Sequence, residues 1–389
     1  MKRFPVIGPA VDYRDIALSM IRSDGLSGRE FRGSLALSTG NKSVFLADSG
    51  LSAFYLILTA LKADPSRDEV VLPAYTAGSL VVAVRKAGLK PVLCDISLND
   101  FNLDFKLLPG IISEKTLGVV VVHMFGIPAA GMPGFSKSIP PGVFLIEDCC
   151  QAQGSMLDGK PVGDLGDAGF FSFNRGKNFC LFGGGCAATN DPELAGRLEN
   201  NSRALRDPGW ARDFFLPFKM WLSLAATRPQ VYGLAYPFIS FLKETKPPDD
   251  FTPGKISGLR SSLGAVLSGK SKEMFGARRK NAEYLLSRLR PVPGLRLPEL
   301  QATVDPAYNR LPVLFSDTAA LEKKVKQLWR AGFETSRMYL APLHKMFDLG
   351  YRPEEFPNAG YFSGHVLTIP VYPGLEQKDM DRIIEVVKR

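Results

Sequence analysis

The chain has 389 residues, of which 45% are hydrophobic and 22% charged, and it carries a formal net charge of +9. This composition is typical of globular proteins and excludes a mostly disordered chain, while the length leaves room for two domains with their own cores. The positive charge favours an acidic partner, either nucleic acid, an anionic membrane surface or a phosphorylated small molecule. Because the basic residues are scattered and no nucleic-acid-binding motif occurs, nucleic acid is the least favoured of the three.

The cysteines and histidines do not form a metal-binding or disulfide pattern. No two cysteines have the CxxC spacing; they are Cys94, Cys149, Cys150, Cys180 and Cys186. The three histidines are far apart in the sequence, so no metal site is expected. Free thiols are typical of a reducing compartment, and residues 1–15 lack the apolar core of a signal peptide. We therefore expect a cytoplasmic protein.

The first 122 residues alternate between helix and strand patterns after an irregular start. The predicted elements are a helix at 13–22, a helix at 53–61, a strand at 69–76, a helix at 78–87, a strand at 90–96 and a strand at 117–122. Such alternation predicts a mainly parallel sheet with helices on its faces.

Residues 145–191 contain polar side chains whose positions at the ends of predicted strands are well defined. A buried strand at 143–146 ends in two carboxylates, the second of which is Asp148, and an apolar run at 168–173 leads to Lys177. Ligands of open α/β sheets bind outside the carboxyl ends of the strands, so we expect this acid and this amine to face a ligand. A lysine that forms a Schiff base is a known route to covalent catalysis, and pyridoxal phosphate most often uses one.

A pyridoxal phosphate site would explain three of these residues together. Asp148 would serve the ring nitrogen while Lys177 meets the other end of the ring, and Ser172 lies five residues before Lys177, within reach of the phosphate. Each residue also has an ordinary structural explanation, as a turn cap, a loop lysine or a packed strand serine. For any one of them alone the ordinary explanation is favoured, so only their combination indicates a cofactor site.

Four motifs and a glycine-rich turn that ends in TND at 189–191 follow one another here in order over more than forty residues. The motifs are EDCCQAQG at 147–154, VGDLGD at 162–167, FSF at 171–173 and KN at 177–178. This series resembles the DegT/DnrJ/EryC1/StrS family of pyridoxal-phosphate-dependent sugar aminotransferases. The resemblance implies four cofactor-binding residues: Lys177 as the Schiff-base lysine, Asp148 at the pyridine nitrogen, Gln151 beside the ring and Ser172 at the phosphate. Gln153 stands where the family usually has histidine.

The same resemblance implies a phosphate-binding helix start at Gly50, Leu51 and Ser52. Backbone amides at the start of a helix favour a phosphate, although an ordinary N-cap would explain the same residues. Leu51 replaces a threonine of the family pattern, so a hydroxyl contact is missing while the amides remain.

The resemblance also implies a substrate site that includes Tyr75, Arg337 and His344. Arg337 is the sequence-based candidate for the carboxylate of an amino donor or the phosphate of a substrate, because a guanidinium binds either group with two hydrogen bonds. Two expected residues are missing. The ring-stacking aromatic of the family falls at Ala77, and the asparagine that reaches across a dimer falls at Gly258.

Residues 214–242 form a hydrophobic insertion that carries only Lys219 and Arg228 as charges. Its longest uncharged run is too short to cross a bilayer, and prolines interrupt it. Two interpretations remain open: burial against the main body or a dimer partner, and contact with a membrane surface through its aromatic residues.

The C-terminal part predicts a small α+β domain after a proline-rich linker at 243–255. Its predicted elements are a helix at 262–290, a strand at 311–315, a helix at 318–331, a strand at 366–369 and a helix at 377–388. We therefore expect a large pyridoxal-phosphate-binding domain at 1–250 and a small domain at 251–389. The resemblance implies the aspartate aminotransferase-like fold, fold type I of the pyridoxal-phosphate-dependent transferases, and a homodimer.

The function that this interpretation predicts is transfer of an amino group from an amino acid, such as glutamate, to a nucleotide-linked keto sugar for polysaccharide, lipopolysaccharide or natural-product biosynthesis. Related sugar dehydratases replace the lysine with histidine, so Lys177 argues against dehydration. Amination of a lipid-linked or non-sugar substrate at a membrane also stays open, as does a non-catalytic binding protein. Retention of Asp148, Ser172 and Lys177 makes the binding protein the least favoured.

Overall fold

A seven-stranded sheet lies at the centre of the N-terminal part of the protein. The computed structural model describes residues 2–8, 10–22, 25–209, 213–239 and 246–389. The elements up to residue 203 are α1 (Tyr13–Ile21), α2 (Gly25–Thr39), β1 (Ser43–Ala47), α3 (Gly50–Leu61), β2 (Glu69–Pro73), α4 (Ser79–Lys86), β3 (Lys90–Cys94), β4 (Thr116–Val122), α5 (Met132–Ser136), β5 (Phe144–Asp148), β6 (Met156–Leu157), β7 (Lys160–Pro161), β8 (Ala168–Ser172), β9 (Gly185–Thr189) and α6 (Pro192–Arg203).

The strands of this sheet lie in the order β1-β9-β8-β5-β4-β2-β3. The neighbouring pairs are parallel except for the two that involve β9, so the predicted mainly parallel sheet is confirmed. Every residue of β4 is buried, as expected for a strand that is covered on both faces and therefore needs apolar residues on both. Because β5 and β8 are parallel neighbours, their carboxyl ends meet at the same edge of the sheet.

Helix α3 packs across the strands that carry the site. Phe54 of α3 stacks on Phe170 of β8, with 4.7 Å between the ring centroids. The helix begins at Gly50, three residues earlier than its apolar pattern predicts, because the side chain of Ser49 accepts the N–H of Ser52 and caps the first turn. This first turn therefore lies at the edge of the sheet where β8 ends.

The C-terminal part adds a second sheet, the antiparallel β10-β12-β13. The elements after residue 213 are α7 (Leu216–Thr227), α8 (Pro229–Ile239), α9 (Gly258–Ser268), α10 (Ser271–Leu289), β10 (Leu295–Arg296), β11 (Val304–Asp305), β12 (Leu311–Phe315), α11 (Thr318–Arg330), α12 (Leu343–Met346), α13 (Pro357–His365), β13 (Val366–Ile369) and α14 (Gln377–Lys388). The single helix predicted at 262–290 is wrong. It is divided at Gly269 and Lys270, because α9 packs on α1 and α2 whereas α10 packs on α14.

The N-terminal residues are more ordered than the sequence predicts. Residues 25–39 form α2, which the expected irregular start does not include. The ring of Phe4 stacks on Phe333 with 5.3 Å between centroids, and the N–H of Val6 donates to Glu334 Oε2 at 2.9 Å. The start of the chain thus packs on its C-terminal part, and the division into domains at residue 250 stays a prediction.

The hydrophobic insertion forms a hairpin of the two helices α7 and α8, while residues 240–242 lie outside the described part of the chain. Helix α7 packs on α1, and its Leu216, Met220 and Leu224 are buried. Eight large apolar side chains of the hairpin are exposed: Phe214, Phe215, Phe218, Trp221, Leu222, Val231, Leu234 and Phe238. Among the described helices, none has the length and apolar character needed to cross a bilayer.

We expect Gly264→Ala to lower the melting temperature, because the new Cβ would lie 2.6 Å from the buried ring of Phe31. Overpacking of this kind costs about 1–3 kcal/mol. Gly276→Ala is the matched control: Gly276 is also helical, a Cβ added there would meet no atom within 4 Å, and the variant should gain about 0.4–1 kcal/mol. Thermal unfolding measures both variants, and equal shifts would contradict the packing of α2 on α9.

Candidate active site

Asp148 is the last residue of β5 and lies almost out of water, with 6% of its surface exposed. Its Oδ1 accepts the backbone N–H of Cys150 at 2.9 Å. Within the described residues, no nitrogen or oxygen atom donates a hydrogen bond to its Oδ2. Burial raises the pKa of this carboxyl above its usual value, and the nearby ammonium of Lys177 partly opposes that rise. The structure therefore places the two residues close enough to interact.

Lys177 lies in a loop that begins where β8 ends. Gly176 has a φ of 89°, a left-handed conformation that favours glycine, and the N–H of Lys177 donates to Asn174 O at 3.2 Å. The side chain of Asn309 holds this loop by donating to Gly176 O at 2.7 Å. Across the described part of the chain, the half-buried amine of Lys177 has no hydrogen-bond partner, so it is available to a ligand.

The start of α3 forms an anion-binding concavity against β8. A Cβ on Gly50 would lie 2.7 Å from Ser172 Cβ and 3.0 Å from Cys150 Sγ, so only glycine allows this approach. The Ser52 hydroxyl donates to Asp48 Oδ1 at 2.6 Å and is not free, and the bridge between Ser49 and Gly184 engages the backbone at Gly50, whereas the N–H of Leu51 has no acceptor in the described structure. Helix-start amides and the adjacent Ser172 hydroxyl are the donors that a phosphate needs.

These groups fit pyridoxal phosphate. The cofactor carries a phosphate for the start of α3, and a ring nitrogen whose protonated form would donate to the carboxylate of Asp148. It also carries a carbonyl group that reacts with an amine such as that of Lys177. Each end of the cofactor thus matches a polar group of the site.

Two tyrosines lie over the same region. Gln151 accepts the N–H of Phe125 at 3.2 Å, and its Nε2 lies 3.5 Å from the hydroxyl of Tyr339. The rings of Tyr339 and Tyr75 meet edge to face at 5.7 Å, and the Tyr75 hydroxyl donates to Met338 O. Burial raises the pKa of both hydroxyls, so they remain neutral donors.

Sequence reasoning assigned no role to Tyr339 or Asn309. Tyr339 belongs to the loop that resembles the family motif, so its signal was present in the sequence. Asn309 is over 130 residues from the loop it holds, two residues before β12, and no local pattern could have identified it.

The structure places Arg337 and His344 in contacts of their own. The guanidinium of Arg337 pairs with Glu322 and donates to Gly364 O at 3.2 Å. His344 Nε2 lies 3.1 Å from Pro353 O, and its ring packs on Phe356. No hydrogen bond or ion pair in the described residues joins either side chain to Lys177 or Asp148. Their assignment to the substrate site stays a prediction.

His123 and Glu147 form a buried pair beneath the site. His123 Nε2 donates to Glu147 Oε2 at 2.9 Å, and its Nδ1 accepts the N–H of Ala129 at 3.1 Å, which defines a neutral ring. Glu147 also accepts the N–H groups of Gly163, Leu165 and Gly166. With Cys149 these atoms lie within 4.8 Å of one another, a spacing that a metal ion could use. However, four hydrogen bonds already occupy the carboxylate, so the cluster is structural.

Neither missing family residue has a simple replacement in this chain. Ala77 offers no ring, and Tyr75 and Tyr339 are the aromatic side chains described above beside Gln151. Gly258 is the first residue of α9, and the hydroxyl of Ser257 before it caps that helix by accepting the N–H of Arg260.

Comparisons with known proteins agree with this geometry. The model of the DegT/DnrJ/EryC1/StrS aminotransferase family matches residues 13–388. The erythromycin biosynthesis sensory transduction protein EryC1 of Saccharopolyspora erythraea is 28% identical over 94% of this chain and 90% of its own. The dTDP-3-amino-3,4,6-trideoxy-alpha-D-glucose transaminase of Streptomyces venezuelae is 28% identical over 88% of this chain and 81% of its own. A solved putative sugar aminotransferase from Streptococcus pneumoniae, in its PMP form, has a TM-score of 0.79 at 22% identity and covers 98% of this chain and 97% of that one.

Replacement of Asp148 should stabilise the protein that has no cofactor. Its folded pKa lies above the usual 3.8, so the folded state holds this proton more tightly, and stability falls as pH rises from about 3.8 through the folded pKa. Asp148→Asn removes this loss, and its melting temperature should exceed that of the wild type by more at pH 8 than at pH 5.

Asp64→Asn is the control for that comparison, because hydrogen bonds from Ser66 lower the pKa of this exposed carboxyl. Its effect should be small and destabilising at neutral pH. A melting temperature of cofactor-free Asp148→Asn below that of the wild type at pH 8 would show that the carboxylate is better stabilised than its burial indicates.

Proposed function

Since the chain belongs to the DegT/DnrJ/EryC1/StrS aminotransferase family, we propose that it transfers an amino group from an amino acid, such as glutamate, to a nucleotide-linked keto sugar. It uses pyridoxal phosphate as cofactor. The observation that carries this proposal is the meeting of Asp148, Lys177 and the start of α3 at one edge of the sheet. The transaminase of Streptomyces venezuelae is named for a dTDP-linked amino sugar, which supports the same class of acceptor here.

Each residue of the site has one task. Pyridoxal phosphate, when bound, supplies an electron sink that stabilises a carbanion next to the reacting nitrogen. The carboxylate of Asp148 would hold a proton on the ring nitrogen, and the amides of Gly50 and Leu51 with the Ser172 hydroxyl would bind the phosphate. Lys177 Nζ takes a proton from the α-carbon of the donor in one half-reaction, and returns a proton to the sugar carbon in the other.

An absorbance spectrum tests this proposal first. Wild-type protein with pyridoxal phosphate should show a band near the edge of the visible range that moves into the ultraviolet when glutamate is added. Lys177→Ala should lack the band, because the amine that binds the cofactor covalently is gone. Lys160→Ala, an exposed lysine of β7, is the matched control and should behave as the wild type. Absence of the band from the wild type would favour a non-catalytic binding protein.

We further propose that the protein is a cytoplasmic homodimer that contacts an anionic membrane surface through the hairpin α7–α8. Residues 214–239 contain Lys219 and Arg228, both exposed, and no acidic residue. Phe214, Phe218 and Phe238 are each more than 60% exposed on the same hairpin. Aromatic side chains beside basic ones suit the interface of a bilayer with negatively charged lipids. Such contact would bring the enzyme near a membrane-processed sugar.

Flotation with lipid vesicles tests the membrane contact. Wild-type protein should float with vesicles that contain anionic phospholipid and less with neutral ones. A variant with Phe214→Ser, Phe218→Ser and Phe238→Ser should stay in solution, while the control Leu37→Ser and Leu107→Ser, exposed apolar residues elsewhere, should float. Sedimentation of the same variants distinguishes membrane contact from dimerisation: a hairpin variant that becomes monomeric would show that this surface is the dimer interface instead.

A further inference from the structure

Arg310 lies beside the Lys177 loop. No acidic group of the described chain is bound to its guanidinium. It lies directly after Asn309, the residue that holds the loop, and directly before β12. Its Nη2 comes within 3.9 Å of the position that a Cβ on Gly176 would take. Its Nε is buried without a hydrogen-bond partner, and no described residue accepts a hydrogen bond from the rest of the guanidinium.

The surroundings of Arg310 do not neutralise its charge. The charged and titratable groups that act on it are Tyr339, Glu334, Tyr75 and Arg278. Both tyrosine hydroxyls are neutral, and Glu334 Oε2 already accepts the Val6 N–H and the Tyr232 hydroxyl. Arg278 adds a second positive charge, and burial lowers the pKa of Arg310 to about 10. A guanidinium that is largely removed from water and has no acid bound to it is costly, so its presence here points to an anionic ligand.

We propose that Arg310 binds the α-carboxylate of the amino-acid donor, an assignment that rests on the proposed aminotransferase function. The α-carboxylate is attached to the same carbon as the amino group that reacts, so it must lie close to the amine of Lys177. A guanidinium beside Gly176 meets this requirement and binds a carboxylate with two parallel hydrogen bonds. The diphosphate of a nucleotide sugar is many bonds from the keto carbon and lies further from Lys177.

This assignment differs from the sequence-based one, which gave the carboxylate to Arg337. The two arginines are 27 positions apart, and both act on the hydroxyl of Tyr75. Arg337, however, has Glu322 as its counter-ion, and a second carboxylate there would have to displace the first. Arg310 has no such competitor among the described residues.

Half-reaction kinetics with paired donors test the proposal. The cofactor-loaded protein is mixed with whichever of L-glutamate, L-glutamine and L-alanine reacts fastest as the amino donor. It is mixed separately with the amine that lacks the α-carboxylate of that donor, which is 4-aminobutyrate, 4-aminobutanamide or ethylamine, respectively. Arg310→Gln should raise the apparent Kd for the amino acid on the order of 10- to 100-fold, the range for a hydrogen bond to a charged group. It should leave the reaction of the decarboxylated amine almost unchanged. Arg337→Gln is the matched control and should keep the preference of the wild type.

The outcomes separate this inference from the proposed function. An Arg310→Gln variant that keeps the wild-type preference for the amino acid over the decarboxylated amine overturns the inference. An equal loss of reaction rate with both donors also overturns it, as does a loss of the preference in Arg337→Gln alone. If Arg310→Gln does not fold or bind the cofactor, Arg310→Lys replaces it. This variant keeps the positive charge but cannot form two parallel hydrogen bonds to a carboxylate, so it should lose part of the preference. An unchanged preference overturns the inference. A wild type that reacts with no amino acid contradicts the aminotransferase function itself.

Discussion

Asp148 at the end of β5 and Lys177 in the loop after β8 carry opposite charges that interact, and the two strands are parallel neighbours. Asp148 is almost removed from water, and the attraction of Lys177 does not fully offset the cost, because the pKa of the carboxyl remains raised. A carboxylate in this state gains more from a cationic ring nitrogen than one in water would. The remaining site residues surround this pair, and their roles depend on their positions relative to it.

Close backbone contact brings the anion-binding end of the site to the same place. A Cβ on Gly185 would lie 2.5 Å from Gly50 N, and one on Gly50 would lie 2.7 Å from Ser172 Cβ. These two glycines therefore let the start of α3 touch both β9 and the end of β8. The amides of the helix start and the hydroxyl of Ser172 converge because side chains are absent between them.

The C-terminal part completes the site with residues that touch it from the other side. Asn309 holds the Lys177 loop, Tyr339 approaches Gln151, and the N–H of Leu343 donates to Ala74 O at 2.7 Å at the end of β2. The hairpin α7–α8, in contrast, packs on α1, and its exposed apolar surface is a separate feature of the molecule. Substitutions in the exposed surface of the hairpin should therefore leave the residues at the sheet edge in place.

The sequence by itself determined the mainly parallel sheet, because strands such as Thr116–Val122 are continuous apolar runs between helix patterns. Its motifs also predicted Asp148 and Lys177 as site residues. Local patterns could not show that residues 25–39 are helical or that 262–290 is broken, since packing of α9 on α2 decides both. Only the tertiary structure decided which arginine lacks a counter-ion. Arg337 and Arg310 have the same side chain, and no sequence pattern shows which of them has a counter-ion. They differ because the fold brings Glu322 to Arg337 and not to Arg310.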